Sequence, residues 1–120
     1  MFEGPQKTIQ SSMHIQGKGL HTGKKGNLYL KPAEVNTGIL FKRIDVDSDK
    51  SIIEASYKNV SSPILCTKIK NSYGISVSTI EHLMASFYGE GIDNILVELD
   101  APEVPIMDGS SFDFVDAIRS

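Results

Sequence analysis

Two adjacent residues of unlike chemistry, Glu81 and His82, stand in the stretch STIEHLMASFYGEG, Ser78 to Gly91. A neutral imidazole is a metal ligand, and a carboxylate beside one is the usual place for a general base that acts on water. The same spacing has a structural reading. Ser78-Thr79-Ile80-Glu81 fits the S-x-x-E capping box, with Ser78 as the helix cap and Glu81 reaching back to its amide. Spacing alone leaves both readings standing. One histidine does not make a zinc site, because zinc takes three protein ligands plus water. The sequence has no H-E-x-x-H, so further ligands would have to come from elsewhere.

Helical phase adds a second constraint. Ile80, Leu83, Met84 and Phe87 recur at i, i+3, i+4 and i+7 and form one apolar stripe. At about 100° per residue, His82 lies roughly opposite that stripe. Its neighbours on the same face, Ala85, Ser86 and Gly89, are all small, whereas a solvent face normally carries lysine, glutamate or arginine. His82 is therefore expected to face a partner.

The remaining candidates are weaker. His14 falls in an expected strand and reads as structural. His21 lies in GKGLHTGKKG, where glycines let another molecule come close, or simply make a flexible connection. That loop fails the phosphate-binding pattern G-x-x-x-x-G-K-[ST], since Gly19 and Gly23 are one position too close. DVDSDKS imitates a calcium loop through Asp45, Asp47 and Asp49. It has Lys50 where glycine is needed and Ser56 where the glutamate belongs, and reads as a solvated acidic loop. Cys66 in ILCTKI reads as a small buried apolar residue. Asp108 in VPIMDGSS reads as a turn or cap.

The elements that must position these residues follow from pattern. At 120 residues the chain is expected to be one domain, 1–120, large enough for a core. Strands are expected over Thr8–Gln16, Asn27–Lys31, Gly38–Ile44, Ile52–Ala55 and Asn94–Leu99. A hairpin is expected from ILCTKI and GISV, turned by Asn71 and Gly74. The Glu81 helix should end at Gly89 and Gly91. APEVP reads as a stiff extended connector, and DGSSFDFVDAIRS as the start of a second helix, with Ser110 and Asp113 as its cap signal. That helix has no stop signal before Ser120, which is expected of a domain cut from something longer. The order favours an α+β fold: a two-layer sandwich, a mixed sheet with two helices packed on one face.

Composition limits the function classes. A net charge of −3 provides no basic field for nucleic acid or an anionic membrane. A single cysteine excludes an internal disulfide, and MFEGPQKTIQSSMHIQ is too polar for a signal segment, so a cytoplasmic location is expected. No apolar run approaches the roughly 20 residues that span a bilayer.

Taken together, GKGLHTGKKGNLYLKPAEVNTGILFKRID, LCTKI and STIEHLMASFYGEGIDNILVELDAPEVPIMDGS resemble, in order, the first half of the zinc-dependent UDP-3-O-acyl-N-acetylglucosamine deacetylases of Gram-negative bacteria. The resemblance runs from about Thr8 to the chain end. It implies an enzyme that removes the acetyl group from the glucosamine nitrogen, the committed step of lipid A synthesis. It also implies two similar α+β domains whose helical layers face each other across the active site. By motif, Glu81 would be the general base and His82 the first ligand to Zn2+. Leu20, His21 and Thr22 would line the cleft, and Leu65, Cys66 and Thr67 would border the substrate. The run around Asp108 would be mainly structural.

The family's other zinc ligands, in an H-x-x-x-D motif, belong to its second half. So do the histidine that assists the leaving amine and the acyl-chain passage. None of these occurs in residues 1–120. The expected partners are thus the UDP-3-O-acyl-N-acetylglucosamine substrate and the C-terminal domain of the same enzyme. The uncovered helix face could also serve self-association. This chain alone is expected to be inactive. The alternative is a stand-alone, non-catalytic binding or assembly domain, which keeps the cap reading of Glu81 and needs no zinc.

Overall fold

The computed structural model describes residues 5–19, 21–55, 68–106 and 118. Strand β1 spans Met13–Gly19, β2 Lys25–Pro32 and β3 Ile39–Arg43. A short 3-10 turn at Ser48–Lys50 leads to β4, Ile52–Glu54. Strands β5, Lys68–Lys70, and β6, Ser76–Ser78, precede helix α1, Glu81–Gly89. Strand β7 is Ile95–Leu99 and β8 is Pro105–Ile106.

Six strands form one mixed sheet in the order β4-β3-β7-β2-β1-β8. Only β3 and β7 run parallel; the other neighbours are antiparallel. Alternation puts one face of the sheet in the core. Leu28 and Leu30 of β2, Phe41 of β3, and Ile95, Val97 and Leu99 of β7 are buried there with Leu83 and Phe87 of α1. A strand with one solvated face alternates in this way. The fold is the expected α+β sandwich, with α1 on the inner face. The second expected helix lies outside the described residues except for Ile118, which is helical and packs against the core. Among the described residues, no helix is long and apolar enough to cross a membrane.

The other strand bounds shift by one or two residues at most, and those of the first strand by more. The first strand is not Thr8–Gln16 but starts at Met13 and runs on to Gly19. Its ladder to β2 begins at Met13 opposite Leu30 and continues to Lys18 opposite Lys25. Upstream, the chain is tied elsewhere: Lys7 accepts from the amides of Asp93 and Asn94, and the Thr8 hydroxyl accepts from the Ala33 amide. GKGLHTGKKG is accordingly no loose connection. Both of its ends are strand, and the connection between them is closed by Gly19 N–H to the Lys24 carbonyl and Gly23 N–H to the Gly19 carbonyl.

Strands β5 and β6 pair as the expected hairpin, separate from the main sheet. Asn71 organises its turn. Its side-chain oxygen accepts from Tyr73 N–H and Ile75 N–H, and Gly74 adopts φ 85°. Its amide nitrogen donates to the carbonyls of Lys50 and Ile52, which anchors the hairpin beside β4. Arg43 adds a second anchor: Nη1 donates to the Ser76 carbonyl while the fork of Nε and Nη2 engages Asp45.

Candidate functional site: the start of helix α1

Helix α1 ends as its glycines suggest. Gly91 takes φ 69°, and the amides of Glu90, Gly91 and Ile92 return to the carbonyls of Ser86, Tyr88 and Phe87. The beginning differs from the expected capping box. Ser78 is committed to β6, where its amide and hydroxyl both donate to the Pro102 carbonyl. Its amide is therefore spent and is not the partner of Glu81. The cap position is Ile80, with no side-chain cap bond.

The turn into the helix is made at Thr79, with φ 62°. A β-branched residue in the left-handed region is strained by about 1–3 kcal/mol and persists only where its surroundings hold it. Here the holder is Glu103. The Thr79 hydroxyl donates to Glu103 Oε2 over 2.7 Å.

Glu103 also gathers the other motif. His21 N–H donates to Oε2 at 3.0 Å and Thr22 N–H to Oε1 at 3.0 Å. Glu103 as a whole is 2% exposed. Burial alone would raise its pKa. The hydrogen bonds from the Thr79 hydroxyl and from the Thr22 and His21 amides outweigh that and hold it below the usual carboxylate value. The backbone around it is fixed too: Glu103 bridges Ser78 in parallel, Val104 N–H donates to the Ser78 carbonyl, and Pro105 pairs with Gly19. Pro105 lies in an edge strand, the place in a sheet that tolerates a residue without an N–H.

Gly19 makes room for this arrangement. A Cβ there would collide with Glu103 Oε1 and come within 2.5 Å of Thr22 Oγ1. APEVP, expected only as a connector, thus supplies a site residue in Glu103. The available signal is a charged residue between two prolines, in the otherwise uncharged run Ala101-Pro102-Glu103-Val104-Pro105.

The predicted site residues fall into three groups. Glu81 and His82 occupy the first turn of α1 and are half-buried, while Ile80, Leu83 and Phe87 are buried. Among the described residues, none hydrogen-bonds the His82 ring; its carbonyl accepts from the Ser86 hydroxyl. His21 and Thr22 are exposed residues of the turn between β1 and β2, and their amides are brought to Thr79 through Glu103. Leu20, Leu65, Cys66, Thr67 and Asp108 lie outside the described residues.

The small-residue face needs one revision. Ala85 and Gly89 are exposed, but Ser86 is buried, with its hydroxyl turned back on its own helix. The exposed large residue of the helix is Tyr88, 80% accessible. His14 belongs to another surface. It lies on the outer face of the sheet, stacked on Tyr29 at 4.6 Å, with Nε2 2.8 Å from Asn27 Oδ1.

As a donor set, His82 and Glu81 fit one metal ligand and one neighbouring base. Among the described residues, no three His, Cys, Asp or Glu side chains gather as a metal site. A tetrahedral zinc site thus needs ligands beyond these residues.

The family model described as UDP-3-O-acyl N-acetylglycosamine deacetylase, LpxC, matches residues 6–120. Three curated proteins named UDP-3-O-acyl-N-acetylglucosamine deacetylase are similar to the chain. That of Wigglesworthia glossinidia brevipalpis is 46% identical over 113 residues, covering 94% of this chain and 38% of that protein. That of Blochmanniella pennsylvanica is 47% identical over 110 residues, covering 92% and 37%. That of Aliivibrio fischeri is 44% identical over 115 residues, covering 96% and 37%. The chain therefore spans little more than a third of the length of these relatives.

Proposed function

Because the chain belongs to the LpxC family of UDP-3-O-acyl N-acetylglycosamine deacetylases, we propose that it is the N-terminal domain of a zinc-dependent enzyme of that activity, and that it supplies the base and one metal ligand. The substrate would be UDP-3-O-acyl-N-acetylglucosamine, and the reaction the committed step of lipid A synthesis in the cytoplasm of a Gram-negative bacterium. The observation that carries the reading is the buried Glu103 carboxylate. It ties the GLHTG turn to the residue before Ile80-Glu81-His82, which brings two distant motifs to one place.

Zinc, when bound by His82 and by ligands of the second domain, supplies a polarised water and a polarised amide carbonyl. His82 is suited to the role because its ring sits at the first turn of α1, partly open, with no described group bonded to it. Glu81, one residue earlier, takes the proton from the attacking water on its carboxylate. The leaving nitrogen receives a proton from Glu81 or from the histidine of the second domain. The exposed face of α1 around Ala85, Tyr88 and Gly89 meets that second domain. In its absence, the same face is free to pair two copies of this chain.

The test uses the full-length enzyme and measures zinc content together with acetate release. His82→Ala is expected to lose zinc and turnover together. Glu81→Ala is expected to keep zinc and lose turnover by about 10²–10⁴-fold. The 120-residue chain by itself is expected to do neither. Undiminished turnover in full-length Glu81→Ala, or stoichiometric zinc with acetate release from this chain alone, would overturn the reading. The latter outcome would also remove the need for a second domain.

A further inference from the structure

We propose that Glu103 is a positioning residue for this site: one buried carboxylate fixes both the start of helix α1 and the turn between β1 and β2, and so sets where Glu81 and His82 stand relative to the turn that carries His21 and Thr22. The proposal rests on the reading that Glu81 and His82 are base and metal ligand.

Three observations converge on it. First, the carboxylate is itself rigidly placed. Its residue bridges Ser78 in parallel, the preceding carbonyl (Pro102) accepts from Ser78 N–H, and the following amide (Val104) donates to the Ser78 carbonyl. Second, its bonds on the turn go to backbone amides. The His21 and Thr22 amides both point inward at Glu103, and the Thr22 hydroxyl, which accepts from the Lys24 amide, also hydrogen-bonds the carboxylate. Third, its remaining bond goes to Thr79, whose φ of 62° is the hinge between β6 and the first turn of α1. Threonine does not hold that conformation unaided. If Thr79 relaxes to negative φ, the direction in which the chain leaves β6 changes, and Glu81 follows two residues later. Misplacing a reacting group by about 1 Å can cost about a hundredfold in rate.

A staple that only added stability would lower activity in proportion to the unfolded fraction. A positioning residue acts on the folded enzyme, and its loss can be repaired at the hinge. Glycine adopts positive φ without a tether, whereas valine keeps the β-branch and lacks the hydroxyl.

The experiment measures kcat, KM, zinc content and folded fraction in the full-length enzyme. Glu103→Gln is expected to lower kcat by roughly tenfold to a hundredfold and to raise KM in the folded population. The Glu103→Gln/Thr79→Gly double variant is expected to recover most of that loss in kcat, while KM stays raised because the turn is not repaired. Thr79→Val alone should be impaired, and Thr79→Gly alone should stay close to wild type. Should Glu103→Gln not fold, the Thr79→Gly and Thr79→Val pair carries the test by itself. Equal kcat in these two variants would overturn the proposal. So would a folded Glu103→Gln enzyme with unchanged kcat, or a loss that Thr79→Gly leaves unrepaired. Glu81→Ala separates the two readings. If it retains turnover, the assignment of the base has failed, whatever Glu103 does.

Discussion

The Thr79 hydroxyl and the Glu103 carboxylate are joined by a 2.7 Å hydrogen bond, and both residues are buried, although 24 positions separate them in the chain. The entry into helix α1 is therefore held by a tertiary contact. A local cap would have tied the helix only to itself. This one ties it also to the turn between β1 and β2.

Glu103→Ala should destabilise the chain by about 3 kcal/mol or more in urea unfolding. It leaves the Thr79 hydroxyl and the His21 and Thr22 amides without their acceptor, each at a cost of about 1–3 kcal/mol when buried. Glu103→Gln keeps one acceptor oxygen and should cost less. A Glu103→Gln variant as stable as wild type, with the loss confined to Glu103→Ala, would show that packing, and not the ionised acceptor, is what Glu103 contributes.

Acid should weaken the fold through the same residue. The folded-state pKa of Glu103 lies below its ordinary value of 4.5, despite burial, because of its hydrogen bonds. A depressed carboxylate contributes stability that is fully present above the unfolded pKa and is lost as pH falls through the folded one. Asp45 has the same sign, with the hydrogen bond from Arg43 as its chief cause. The urea midpoint should therefore drop as pH falls below about 4.5, and Glu103→Gln should flatten that drop. A variant with the wild-type pH profile would remove Glu103 from the acid response.

Two glycines should respond oppositely to alanine. At Gly19 the new Cβ meets the Glu103 carboxylate and the Thr22 hydroxyl, so Gly19→Ala should destabilise by about 1–3 kcal/mol. At Gly89 nothing lies within 4 Å of a Cβ, and the residue is helical. Gly89→Ala in this chain should stabilise by up to about 1 kcal/mol through helix propensity. Thermal melts of both variants are a direct check, and a neutral Gly19→Ala would contradict the close approach.

The three histidines should separate by role. His14→Ala in the full-length enzyme should leave zinc content and turnover unchanged. It should cost about 0.5–1.5 kcal/mol through lost stacking on Tyr29. Loss of zinc from that variant would contradict its placement on the outer face of the sheet.

Much of the fold was legible because it is local. The alternation in β2 and β7 and the i, i+3, i+4, i+7 stripe of α1 each record one buried face, and the structure buries those residues, Met84 only partly. Gly91 and the Asn71 turn were legible for the same reason, since their geometry is satisfied within a few residues. The capping box was legible and wrong. Ser78 and Glu81 have the right spacing, but β6 and the Pro102 carbonyl took the serine first.

By itself the sequence determined the residue types that do chemistry, the apolar faces and the family pattern that orders them. Only the tertiary structure decided that residue 103 joins the GLHTG turn to the start of the TIEH helix. The physical reason lies in the donors. The amides of His21 and Thr22 belong to the backbone and are the same whatever side chains stand there, and they lie 82 and 81 positions from their acceptor. No local spacing encodes such a partnership. It exists because β8 closes against β1 and Glu103 bridges β6, which leaves one carboxylate buried among three donors.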